Sequence, residues 1–420
     1  MHTKFGGSTR MLFGGAASAV FVLAVTVAGQ APATQAPAAK PAAPTTGKPY
    51  VAPKTPWGDP DIQGMFNFSY VGGVPLERCG GGGAGRPPAE LVAATPAAPD
   101  AGGGGGRGGG GGGGGRGGGR GGAPCDPNQA FVPDDVYQQR LAAFEKQRAG
   151  GDRFAAALKE GDLKTALGGI TDPTTPQRQT SLIMDPPDGR LPQLTAEGNR
   201  RMMLMKSSWA WWPAEPIVWD TPEDFDVWDR CITRGMPASM FPYRYNNGMQ
   251  ILQAPGVVIL NLEMIHEARV IPVDGRPRPA SAIKQWLGES RGRWEGPNTL
   301  VIETTNFKAG ASMTNIGVVG APPGNRIPTS EQMKITERIT RTAPDMIEYE
   351  IRTEDPTILT RPWTARFPLQ DDPTYEWWEY ACHEGNTAVP NFITSSRAER
   401  AAAAGVNPSA QPAGGGRGGR

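Results

Sequence analysis

From Met249 onward the chain is a succession of short runs of β-branched and aromatic residues cut by Gly, Pro and Asp, a pattern that confines its second half to an antiparallel β fold. Strands are predicted over Met249 to Gln253, Val257 to Leu262, Glu267 to Pro272, Thr299 to Thr305, Met333 to Arg341, Met346 to Thr353, Pro362 to Pro368 and Tyr375 to Cys382. Ala254-Pro255-Gly256 and Thr342 to Asp345 have the length of hairpin turns, which sets consecutive strands side by side. Within Met346 to Thr353 the alternation sends Ile347, Tyr349 and Ile351 to one face and Glu348, Glu350 and Arg352 to the other, so one face meets a core and the other water. The expected fold is mainly β: an antiparallel meander closed into a lipocalin-like barrel, or a β-sandwich, with one or two short N-terminal helices and long disordered segments. Barrel closure is the favoured expectation.

The first half is organised by composition. Lys4 and Arg10 precede an uncharged run from Met11 to Gly29 that ends in small residues, the pattern of a secretory signal peptide over residues 1–28. No other stretch approaches the roughly 18 apolar residues that span a bilayer. The expected protein is therefore exported, periplasmic or extracellular, with no membrane span after cleavage. Residues 29–54 form an Ala/Pro spacer, and 55–79 an extended segment that packs on the body. Residues 80–124 are a Gly/Arg-rich insertion that buries too little apolar surface to offset its ordering entropy, and 401–420 form a similar tail. Over 126–168 short helices are expected: Tyr137, Leu141 and Phe144 recur at helical spacing after Asp134 and Asp135, and a weaker helix follows from Asp152. The β-rich domain occupies 178–400.

Charge selects no partner. Loss of Lys4 and Arg10 with the leader takes the formal net charge from +1 to −1, which lacks the basic field of a nucleic-acid binder. The four cysteines are an even number in a chain bound for an oxidising compartment, so pairing is the default. Cys79 with Cys125 and Cys231 with Cys382 is the preferred connectivity. A zinc site is disfavoured by the absence of short C-x-x-C spacings.

Several long words are similar, in order, to those of a family of uncharacterised secreted bacterial proteins. They are TPWGDPDIQGMF (Thr55 to Phe66), RQTSLIMDPPDGRLPQLT (Arg178 to Thr195) and YNNGMQILQAPGVVILNLEMIHEARVIPVDGRP (Tyr245 to Pro277). WLGESRGRWEG (Trp286 to Gly296), VIETTNF (Val301 to Phe307), DPTILTRPWTARFPL (Asp355 to Leu369) and EYACHEGN (Glu379 to Asn386) follow. The resemblance spans residues 55–78 and 178–400 and implies export, while the family carries no known activity that it could transfer. The chain departs from the pattern at Arg278, where relatives often carry a histidine, and at Pro297-Asn298, which lengthens a turn.

Beyond the leader only His266 and His383 remain, each followed by a glutamate, Glu267 and Glu384. A histidine with a carboxylate to hold its tautomer is the basis of acid-base chemistry, and His266, His383 and Glu384 are the candidate catalytic residues. Strand parity puts His266 and Glu267 on opposite faces if the segment is extended. A structural role for His266 and a capping role for His383 stand beside this reading, as does metal binding with Glu384. No H-E-x-x-H spacing is present, and no metal or cofactor is assigned. Tyr245, Asn247, Arg269, Trp294 and Asn386 are the candidate ligand-binding residues. Gly292-Arg293-Trp294 is similar to the G-x-W near the closure of small ligand-binding barrels. The tryptophans Trp209, Trp211, Trp212, Trp219 and Trp228 could stack on sugar rings or fill a core. Asp188-Gly189-Arg190 and Asp274-Gly275-Arg276 read first as turns. No nucleophile elbow or phosphate loop is found. Two functions follow: binding of a small molecule or glycan in a β-barrel pocket, or an extracytoplasmic hydrolase or lyase acting on carbohydrate.

Overall fold

Alternation of apolar and polar residues sorts nearly every predicted run into a strand with one buried face. The computed structural model describes residues 50–79, 126–149, 161, 175–204, 206, 208, 218–243, 245–310 and 327–405. The expected signal peptide and Gly/Arg-rich insertion lie outside them, as do the spacer apart from residues 50–54 and the Asp152 helix apart from Gly161. Among these residues ten strands form two antiparallel sheets. The four-stranded sheet has the order β1 (Gly64–Asn67), β3 (Gly248–Ala254), β4 (Val257–Leu262), β5 (Glu267–Pro272). The six-stranded sheet runs β2 (Ile183–Asp185), β10 (Trp363–Gln370), β9 (Met346–Glu354), β8 (Lys334–Ala343), β7 (Thr299–Thr305), β6 (Glu289–Glu295). No closed hydrogen-bonded barrel is found among the described residues, and the two-sheet arrangement is compatible with a sandwich.

Among the described residues three α-helices accompany the sheets: α1 (Asp134–Ala149), α2 (Ala196–Leu204) and α3 (Ala388–Ala403). Helix α1 starts where the Asp134 and Asp135 pair complements the positive end of the helix dipole. Helix α3 runs past the expected start of the tail. It is fastened by Phe392 edge-on to Trp219 and Phe225, and by the buried Ser396 hydroxyl, which accepts from the Trp219 amide at 3.1 Å.

One expectation fails. Tyr375 to Cys382 is not a strand. Its aromatic alternation satisfies the pattern, but the buried Glu263 carboxylate draws it into a loop, accepting from the Tyr375 hydroxyl at 2.5 Å and the Trp378 amide at 2.8 Å.

Inward positions are apolar on most strands: Val258, Leu260 and Leu262 on β4, Ile335 and Ile339 on β8, Ile347 and Ile351 on β9, Trp363 and Phe367 on β10. The exception is a polar knot that bridges the sheets. Arg269 of β5 donates to both oxygens of Glu337 on β8, at 2.8 and 2.5 Å. Tyr349 of β9 donates to the same carboxylate at 2.6 Å, and the Ser290 and Thr304 hydroxyls receive Arg269 at 3.3 and 3.4 Å. Glu337 and Tyr349 are wholly sealed from solvent. Burial alone would lower the Arg269 pKa, but the Glu337 carboxylate more than offsets it and the guanidinium stays charged. Burial, and then the Glu337 charge, push the Tyr349 phenol well up, so it stays a neutral donor. These side chains occupy the interior that a barrel ligand would need.

Candidate functional site

Strain in the backbone marks one end of the β body. Six non-glycine residues among those described have positive φ, and four of them meet here: Cys231, Asn246, Ile265 and His266. Ile265, with φ 58°, is the most costly, because a β-branched side chain crowds the left-handed conformation. Such strain persists only where the surroundings impose it, and it concentrates at functional sites.

The strained turn Met264–His266 follows β4 and throws the His266 ring outward. The extended geometry expected there is therefore replaced by a 3-10 turn, and the parity argument applies only from Glu267. The His266 ring is exposed, and its Nδ1 lies 3.0 Å from the Tyr380 carbonyl. A carbonyl cannot donate, so Nδ1 carries the proton and Nε2 is left as an acceptor facing solvent.

Beside this turn a row of aromatics is assembled from two distant segments. Trp228 and Tyr243 lie 5.6 Å apart, Tyr243 and Tyr245 5.1 Å, and Tyr245 stacks on Tyr380 at 6.2 Å with 13° between planes. Arg234 lies beneath, 4.8 Å from the Tyr243 ring, and donates to the Phe241 carbonyl at 3.1 Å. Burial lowers the Arg234 pKa to about 10, against the opposing pull of Tyr243 and Glu267. Burial and then Tyr380 push Tyr245 up to about 12, and burial also raises Tyr380. Glu267 accepts from the Ser239 hydroxyl at 2.8 Å and titrates above its ordinary range, chiefly because it is desolvated.

The second segment is tied down by the disulfide Cys231–Cys382. Cys79 is also disulfide-bonded, and its expected partner Cys125 lies outside the described residues. Asn386 donates to the Asp229 carbonyl at 2.9 Å and reaches the Cys231 sulfur at 3.4 Å, which locks the loop after the disulfide. His383 and Glu384 are exposed on the turn between them, and no hydrogen bond among the described residues joins either to His266. Trp378 is 65% exposed beside this segment.

The other sequence candidates are placed elsewhere. Asn247 is buried, and its amide spans the Tyr243 backbone, accepting from the nitrogen at 2.7 Å and donating to the oxygen at 3.0 Å, so it shapes the tyrosine turn. Arg269 belongs to the interior knot. Trp294 packs, half-buried, against the main core. Of the tryptophan run, Trp209, Trp211 and Trp212 lie outside the described residues, and Trp219 packs under α3. Sequence reasoning missed Arg234 and Tyr243; the Tyr-x-Tyr word preceding Asn246-Asn247 is a signal for Tyr243, and Arg234 has none of its own. Among the described residues no helix is long and apolar enough to cross a membrane. No protein-family model matches the chain, and neither a curated protein nor a solved structure is significantly similar to it.

Proposed function

We propose that this is an exported glycan-binding protein whose site is the strained rim of Tyr243, Tyr245, Tyr380, Trp378 and His266. The observation that carries the reading is the convergence of four positive-φ residues on one aromatic surface. Half-buried tyrosines and an exposed tryptophan offer flat apolar faces to sugar rings, and their hydroxyls, with His266 Nε2, offer polar partners for sugar hydroxyls. The filled interior favours this rim over a pocket inside the strands. Closure of the two sheets into one lipocalin-like barrel is part of the proposal. A Cβ at Gly292 on β6 would come within 3.0 Å of Ile271 on β5, and Phe66 of β1 bridges to Asp371 just beyond β10. Export is supported by the leader pattern of residues 1–28 and by the disulfide.

A second reading, a carbohydrate hydrolase or lyase, is favoured by His266, whose fixed tautomer leaves a general base at the surface. One experiment addresses both. The mature protein is screened against a glycan panel, and each hit is followed for binding and for product. Binding without turnover that is lost in Tyr245→Ala and His266→Gln supports the binding reading. Turnover abolished by His266→Gln supports the enzyme. No hit on any glycan overturns both.

A further inference from the structure

Away from the tyrosine rim, the Asp188-Gly189-Arg190 turn lines a cleft of about 370 Å³ together with Gln193, Thr360 and Arg361. That volume lies within the range of small-molecule sites. We infer that this cleft is a second binding site, for a small hydroxylated monocarboxylate such as a sugar acid.

The turn is held from behind by two buried charged residues, an expensive way to position an exposed loop. Arg78, 1% exposed, donates its backbone amide to the Gly189 carbonyl at 2.9 Å and its guanidinium to the Pro187 carbonyl at 2.7 Å. Glu77, wholly buried, accepts from the Leu191 amide at 2.8 Å. Gly189 has φ +66°, and a Cβ there would come within 2.8 Å of Ser181 Oγ, so only glycine fits this turn. The opposite wall is tied to the first, since both the amide and the hydroxyl of Thr360 donate to the Gln193 carbonyl, at 2.9 and 3.0 Å.

Inside this frame the charges are incompletely matched. Arg361 pairs loosely with Asp188 at 3.7 Å, while the half-buried Arg190 guanidinium has no partner among the described residues. Two guanidiniums against one carboxylate leave a single net positive charge, which suits a monoanion better than a phosphate dianion. The planar Arg190 fork fits a carboxylate. Asp188, whose Oδ1 also accepts from the Arg190 backbone amide at 3.1 Å, and the Gln193 side-chain amide can each take a further hydroxyl group, which selects a hydroxylated ligand over a simple fatty acid.

The test is calorimetric titration of the mature protein at low salt with galacturonate, galactose and inorganic phosphate. Galacturonate is expected to bind, galactose to bind at least about tenfold more weakly, and Arg190→Gln to weaken galacturonate by about tenfold or more. Arg361→Gln should weaken it as well, with melting temperatures near that of the parent. Arg190→Gln, which lies outside the rim, should leave the binding of neutral glycans there unchanged, and this separates the failure of this site from the failure of the glycan reading. Equal binding of galactose, tighter binding of phosphate, indifference to Arg190→Gln, or no binding of galacturonate would each overturn the assignment.

Discussion

Replacing Glu337 by Gln tests whether the polar knot between the sheets is held by charge. The carboxylate accepts both ends of the Arg269 fork and the Tyr349 hydroxyl, and all three side chains are buried. The amide keeps the shape but leaves the Arg269 cation without a counter-charge, where no water reaches it. Breaking a buried pair from one side costs about 3 to 5 kcal/mol. For a body of this size each kcal/mol lowers the melting temperature by roughly 2 to 4 °C, so the variant should melt roughly 6 to 20 °C lower. The paired change Arg269→Met with Glu337→Leu removes both charges and should recover most of the loss, since an apolar replacement of a buried pair is often neutral or better. Urea unfolding of the parent, both single variants and the double variant gives the coupling directly. If Glu337→Gln costs under about 1 kcal/mol, or the double variant is as weak as the singles, the knot is not the electrostatic unit argued above.

Glu267 gives a pH signature. The unfolded chain loses this proton near 4.5, while the folded site holds it to higher pH, so this residue's contribution to stability falls as pH rises from 4.5 through the raised folded pKa. Glu267→Gln should remove that decline, and an unchanged slope in urea melts from acid to neutral pH would count against the desolvated carboxyl. Reducing Cys231–Cys382, which are 151 residues apart in the chain, should cost roughly 5 kcal/mol on the chain-entropy view, seen as a lower urea midpoint. Glu263→Ala should free the aromatic loop at a cost of about 1 to 3 kcal/mol. Its mark is faster hydrogen exchange at the Trp378 amide, and unchanged protection there would show that other contacts hold the loop.

The strands that were legible are rich in β-branched and aliphatic residues, even where one inward position is polar, as Arg269 is on β5. Val257–Leu262, Glu267–Pro272 and Thr299–Thr305 appear with the expected bounds. Glu289–Glu295 was not legible, because its inward residues are Ser290, Gly292 and Trp294. The serine is called for by Thr304, its cross-strand partner on β7, and by Arg269 of β5, and the glycine by the close passage of Ile271 and Val273. Neither demand leaves a hydrophobic period in its own segment. Tyr375 to Cys382 failed in the opposite sense, carrying a strand pattern while a distant carboxylate, Glu263, decides its path. The same limit applies to the site. His266 stood out by rarity of type, whereas Arg234 and Tyr243 acquire meaning only from the aromatic rings that surround them.

The Tyr380 carbonyl has a selective effect that reaches beyond His266 itself. By accepting the Nδ1–H, it leaves the Nε2 lone pair as the ring's acceptor for whatever approaches. A hydroxyl is welcomed there and a carboxylate is repelled, the reverse of the preference set by the unpartnered Arg190. Ligands would thus be sorted by polarity alone, neutral sugars toward the tyrosines and uronates toward the arginines.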